Sequence, residues 1–236
     1  MTKNASGQPV WLKKVLISTA GVITYPLLHI INRLETKGAE HLRLLPDKNV
    51  LFVSNHHTYF MDVIALYHEV MKARSKKHVW FPAYLINPWG NFYFVAARET
   101  MESGFIPRIL AYSGAVTVKR TWKEGNRLIQ RPLDPADIQK IGLALTSGWV
   151  VTFPQGTTRP HAPGRIGTAR VIKDFRPIVV PMVIDGFREA FDKTGLIPRK
   201  INVRLKIRFK KPLDIDYNEE AEIVLRQVMQ AIEQNG

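Results

Sequence analysis

The sequence predicts an α/β fold: a mixed β-sheet flanked by helices, preceded by an N-terminal apolar helical segment that associates with a membrane. Three observations predict it. Beyond residue 45, short apolar runs alternate with stretches of helical periodicity, the pattern of strands interleaved with helices. Residues 201–209 (INVRLKIRF) alternate strictly. Ile201, Val203, Leu205, Ile207 and Phe209 fall on one face, and Asn202, Arg204, Lys206 and Arg208 on the other. That is a half-exposed strand with a basic outer face. Residues 15–32 (VLISTAGVITYPLLHIIN) contain no Asp, Glu, Lys or Arg.

This N-terminal segment spans about 27 Å as a helix, barely the thickness of a bilayer's hydrocarbon core. Pro26 would kink it. Ser18, Thr19, Gly21, Thr24 and His29 dilute its apolar character. A buried core helix and a signal peptide are the alternatives, although no small-residue cleavage site follows the apolar run. The favoured reading is a helix or kinked helix pair that dips into one leaflet. Lys13 and Lys14 before it and Arg33 after it put positive charge at both ends, so charge sets no orientation. A cytoplasmic-face, monotopic or single-pass location is expected. Residues 1–36 form this segment and residues 37–236 the α/β domain, with the boundary near Lys37–Gly38.

The elements follow in order. Residues 49–55 (NVLFVSN) read as a buried strand, and a helix follows to about Ala73. Residues 79–85 (VWFPAYL) and 92–98 (FYFVAAR) are strand candidates. Residues 103–113 (SGFIPRILAYS) read as a short helix and 114–120 (GAVTVKR) as a strand. Residues 136–148 are helical, with apolar Ile138, Ile141, Leu143, Ala144 and Leu145, and end at Gly148 as helices do. Residues 149–154 (WVVTFP) and 177–186 (PIVVPMVIDG) are buried strands. From Glu219 a helix closes the chain, with Ala221, Val224, Leu225, Val228 and Ile232 on one face and acidic residues at its start.

Composition narrows the function classes. With 236 residues, 45% hydrophobic, the chain can bury one substantial core. It has no cysteine, which excludes disulfides and thiolate chemistry. Lys and Arg outnumber Asp and Glu by 34 to 20, a net charge of +14 that suits an anionic partner. The basic residues are scattered, no nucleic-acid motif is present, and the aromatics sit in apolar runs. Anionic membrane lipids or phosphorylated substrates are therefore expected as partners, and nucleic acid is not.

Four short blocks lie after or within predicted strands, where α/β folds carry their sites. The first is SNHHTYFMD (54–62). The second is GAVTVKR, ending in Arg120. The third is FPQGTTRP (153–160). The fourth is VPMVIDG (180–186). Together and in this order they resemble the glycerophospholipid acyltransferase family. Its first block, N-H-x-x-x-x-D, selects His57 with Asp62. Its second is a Gly-started strand ending in Arg, matched by Gly114 and Arg120. Its third, F-P-E-G-T, is matched by Phe153, Pro154, Gly156 and Thr157, with Gln155 in place of Glu. Its fourth is matched by Val180, Pro181 and Gly186, and ARE at 97–99 resembles its basic-Glu stretch.

Helix geometry alone leaves the two histidines open. Five residues along a helix leave an offset of about 140°, so His57 and Asp62 cannot meet on a regular helix. His57 must lie in the turn before it, and His56 would fit similar reasoning with a different turn. The family spacing decides for His57 and makes His56 a pocket neighbour.

The resemblance implies an O-acyltransferase. An acyl group would pass from acyl-CoA or acyl carrier protein to the hydroxyl of a lysophospholipid, such as 1-acyl-glycerol-3-phosphate. His57 would be the general base oriented by Asp62, with no acyl-enzyme, metal or further cofactor. Arg120 and Arg159 would bind phosphate, and Gln155, Gly156 and Thr157 would contact substrate. Gln155 loses the charge of Glu and gains donors, which raises another hydroxylated lipid, such as a lyso amino-acid lipid, as acceptor. A non-catalytic membrane-binding module is the rival from another class.

Overall fold

The computed structural model describes residues 7–75, 83–119, 121–124, 127–130 and 134–234. The strands are β1 (Arg33–Lys37), β2 (Val50–Ser54), β3 (Phe92–Ala97), β4 (Ala115–Val118), β5 (Thr121–Glu124), β6 (Arg127–Gln130), β7 (Trp149–Thr152), β8 (Ile178–Asp185) and β9 (Arg204–Phe209). Seven form one sheet in the order β1-β9-β8-β2-β7-β3-β4, and β5 and β6 form a separate antiparallel hairpin. In the large sheet every neighbouring pair is parallel except β8 with β9. The sheet is thus mixed, as the alternation of elements predicts.

The central strand β2 is buried at every position. Its side chains alternate between two cores: Phe52 joins one, Leu51 and Val53 the other. A strand covered on both faces needs a continuous apolar run, and VLFV supplies it. The first core lies under α1 (Val10–Pro26) and α2 (Met61–Arg74), which contribute Ile17, Leu66 and Val70. The second lies under α5 (Pro135–Ser147), α6 (Ile166–Phe175) and α8 (Ala221–Ala231), which contribute Leu145, Ile172 and Val228. Short helices α3 (Arg98–Met101), α4 (Phe105–Ala111) and α7 (Phe187–Ala190) follow β3 and β8. Asp134 caps α5 by accepting from Ala136 N, Pro135 opens it, and Gly148 follows its last residue as expected.

The N-terminal helix is fastened to the sheet. Lys13 is fully buried; its Nζ donates to Phe92 O at 2.6 Å and lies 3.7 Å from the Tyr93 ring centroid. After Pro26, which has no N–H to give, the helix continues as a π turn over Leu27–Ile31. Asn32 ends it, donating to Leu27 O and accepting from Val203 N.

Several expectations need correction. The boundary at residues 36–37 falls inside the sheet, because β1 pairs with β9 along its whole length. RLETK has no apolar run to announce it: an edge strand is held by its main chain and by ion pairs such as Arg204–Glu35 at 2.9 Å. Of the expected strand at 79–85, residues 79–82 lie outside the described residues and Ala83–Leu85 is 3₁₀-helical. Ile201 is exposed, because β9 starts only at Arg204. Neither α6 nor the β5–β6 hairpin was expected.

Candidate active site

The first block leaves β2 at its C-terminal end and turns into α2. Asp62, in the first turn of α2, is fully buried and faces back into that turn. Its Oδ2 accepts from the backbone N–H of His57 at 2.6 Å and of Thr58 at 3.0 Å, and its Oδ1 from Thr58 Oγ1 at 2.7 Å. A carboxylate at a helix N-terminus is favourably placed, and these donors fix the loop before it. Asn55 ties the same loop to β8: its Nδ2 donates to Ile184 O and its Oδ1 accepts from Ile184 N.

The imidazole held by Asp62 is that of His56, whose Nδ1 lies 2.8 Å from Oδ2. A carboxylate oxygen only accepts, so Nδ1 carries the proton and Nε2 is left as the acceptor. The ring stacks on Phe153, with centroids 3.9 Å apart and planes 19° from parallel. His57 gives Asp62 its amide, not its ring. Its Nε2 lies 3.3 Å from Asn55 Nδ2, and its Nδ1 has no hydrogen-bond partner among the described residues. Burial lowers its pKa, with Arg188 and His56 acting the same way against the carboxylates of Asp62 and Asp185. The expected pairing of the His57 ring with Asp62 is therefore corrected: the turn is one residue longer and brings His56 round instead.

Two cavities meet at His56. One, of about 330 Å³, is mainly apolar; Tyr59, Val63, Phe94, Ala96, Met101 and Val171 are among its walls. The other, of about 710 Å³, is polar; Asn55, His57, Asp185, Arg188, Arg204 and Arg208 are among its walls. They meet beyond the C-terminal end of β2. His56 is the residue they share.

The third block contributes unevenly. Gly156 takes φ 61° in a turn closed by its N–H on Phe153 O at 2.8 Å. Gly156 and Thr157 line the apolar cavity. Gln155 does not line either cavity. It is buried, and its Nε2 donates to Ala162 O at 2.9 Å and Gln234 Oε1 at 3.1 Å. Arg159 is exposed and lines neither cavity. Arg120 lies outside the described residues. Other cations line the cavities: Lys119 and Arg165 the apolar one, and Arg188, Arg204, Lys206 and Arg208 the polar one. The sequence signal for Arg188 was its place, two residues past the glycine that ends the fourth block. That Gly186 has φ 84°, and a Cβ on it would lie 2.5 Å from Arg204 O.

A family model described as Acyltransferase matches residues 33–185, more than half of the chain. The crystal structure of the 1-acyl-sn-glycerophosphate (LPA) acyltransferase PlsC from Thermotoga maritima has the same fold. The match has a TM-score of 0.54 and 16% sequence identity, and covers 92% of this chain and 76% of that one. Among curated proteins none matches the sequence.

Proposed function

Since the chain belongs to the acyltransferase family, we propose that it transfers a fatty acyl group from an acyl thioester to the free hydroxyl of a lysophospholipid at a membrane surface. The thioester would be acyl-CoA or acyl carrier protein. The first acceptor to test is 1-acyl-glycerol-3-phosphate, giving phosphatidic acid, because the Thermotoga maritima protein of the same fold is named for it. The observation that carries the reading is the His56 ring, held by Asp62 at the junction of an apolar and a polar cavity.

The chemistry follows from that position. A neutral imidazole with Nδ1–H on a carboxylate presents Nε2 as a base. The acceptor hydroxyl attacks the thioester carbonyl carbon as its proton passes to Nε2. The tetrahedral intermediate then collapses, the C–S bond breaks, and the departing sulfur takes the proton back from the imidazolium. The hydroxyl belongs to the substrate, so no enzyme nucleophile is required and a chain without cysteine suffices. This reading gives His56 the role of base that the family spacing assigned to His57.

Membrane association is supported by two apolar surfaces. On α1 and the turn after it, Trp11, Val15, Val22, Ile23 and Ile30 are exposed. On α4 and the residue that caps it, Phe105, Ile106, Ile109 and Tyr112 are exposed, and no residue of that helix is buried. Both helices line a small crevice, through Ile17 and Gly21 of α1 and Leu110 of α4, so the two surfaces are neighbours. Helices with apolar faces of this kind lie in the interfacial plane of a bilayer.

The test is thiol release from acyl-CoA and acyl carrier protein against a panel of lyso-lipids in mixed micelles. Release that depends on a lysophospholipid, with the diacyl product formed in equal amount, supports the reading. Release with no lyso-lipid dependence, or none with either donor, contradicts it.

A further inference from the structure

Arg188 opens a second question about the same site. It sits on α7, just after the turn that ends β8. Its Nη2 donates to Thr158 O at 2.7 Å and lies 3.4 Å from His56 O. One guanidinium therefore reaches both the loop that carries the proposed base and the loop that follows β7.

The charge of Arg188 is less committed than that of Arg204, Lys206 or Arg208. Around the polar cavity Arg204 pairs with Glu35, Lys206 with Asp185 and Arg208 with Glu233. Among the described residues no carboxylate pairs with Arg188, which reaches only the two carbonyls. A guanidinium has five N–H donors in a planar fork, so donors remain for a second ligand.

Position adds to this. In a 1-acyl-glycerol-3-phosphate the free hydroxyl is four bonds from phosphorus, a span of at most roughly 6 Å. The group that takes the hydroxyl's proton and the group that holds the phosphate must then share one cavity. His56 and Arg188 do. Arg159, expected from its place in the third block, lines neither cavity.

We infer that Arg188 binds the anionic head group of the acceptor in the polar cavity, while the acyl chain of the thioester occupies the apolar cavity on the other side of His56. This rests on the acyl-transfer reading above. It assigns each substrate to its own side of the base and makes Arg188 a determinant of acceptor choice. A phosphate here would receive charge-assisted, two-pronged hydrogen bonds. The same guanidinium, by holding Thr158 O, would keep the third-block loop against the bound head group.

The experiment compares wild type, Arg188→Gln and Arg188→Lys, with acyl-CoA as donor. The acceptors are 1-acyl-glycerol-3-phosphate and the phosphate-free 1-acylglycerol. Gln retains a donor for Thr158 O without the charge, and Lys retains the charge without the fork. We expect Arg188→Gln to raise KM for the phosphorylated acceptor at least tenfold, and to change KM for acyl-CoA and kcat/KM for 1-acylglycerol by far less. Arg188→Lys should recover part of the loss. An unchanged acceptor KM, an equal loss on both acceptors, or a rise in the acyl-CoA KM instead would overturn the inference, the last by giving the cavity to the donor. If Arg188→Gln does not fold, the same readings on Arg188→Lys decide. A wild-type protein inactive on every lyso-lipid would overturn the acyl-transfer reading itself.

Discussion

At the scale of single residues, Asp62 does two jobs with one carboxylate. It accepts the amides of His57 and Thr58, which shapes the turn, and it holds the His56 ring. The sequence made both histidines and the aspartate visible, but the choice between the rings depended on how tightly the chain turns between β2 and α2. Spacing alone does not report that. Gln155 teaches a related lesson. As a departure from a family motif it invited a substrate-binding role, yet its amide donates to Ala162 O in its own loop and to Gln234 Oε1 near the C-terminus. A Glu there would face both oxygens with no donor to offer. Gln155→Glu is therefore expected to destabilise the protein by about 1–3 kcal/mol, the cost of leaving buried acceptors unpaired. Urea denaturation measures this. Equal midpoints for the two proteins would contradict it.

Among the elements, α1 and α4 carry the exposed apolar side chains that the proposed function sets against a membrane. Replacing Val22, Ile23 and Ile30 by Ser removes side chains worth roughly 1.5–3 kcal/mol each if fully buried. Partitioning onto neutral vesicles should fall at least about a hundredfold, at roughly 1.4 kcal/mol per tenfold. Phe105→Ser with Ile106→Ser should lower it independently. Sedimentation with neutral vesicles reads both, and wild-type binding by either variant would contradict the role of that surface. Substitution is the right probe here, because deleting residues 1–36 would also remove most of β1 and the Lys13 anchor. Elements with a strong pattern were legible: β2, α5, β7, β8 and α8 lie where apolar runs or helical spacing put them. Elements without one were not. β1 is polar and held by main-chain pairing, and α6 begins in a stretch, APGRIG, whose glycines and proline read as loop.

For the molecule as a whole, buried histidines make stability depend on pH. His68 is 2% exposed, with Nε2 on Thr24 Oγ1 and Nδ1 on Tyr84 OH. Burial, aided by nearby His29, lowers its pKa to about 3. The unfolded chain, with a pKa near 6.5, takes up this proton first. The associated stability is therefore complete above pH ~6.5 and is lost as pH falls toward the folded value, at about 1.4 kcal/mol per pH unit. His57, also lowered by burial, acts in the same direction. Unfolding free energies between pH 7 and 4 should decline less steeply in His68→Gln than in wild type. Parallel declines would contradict this origin.

The whole molecule is also where the direct-transfer mechanism has to hold: two cavities, one base between them and no acyl-enzyme. The most direct measurement is single-turnover thiol release with acyl-CoA, with and without lysophospholipid, in wild type, His56→Ala and His57→Ala. The predicted result is no burst of thiol without acceptor in any of the three. With acceptor, wild type should release stoichiometric thiol, His56→Ala should fall by about 10²–10⁴-fold, the usual worth of a general base, and His57→Ala should fall far less. A stoichiometric burst without acceptor, or loss on His57→Ala with His56→Ala still active, would contradict it.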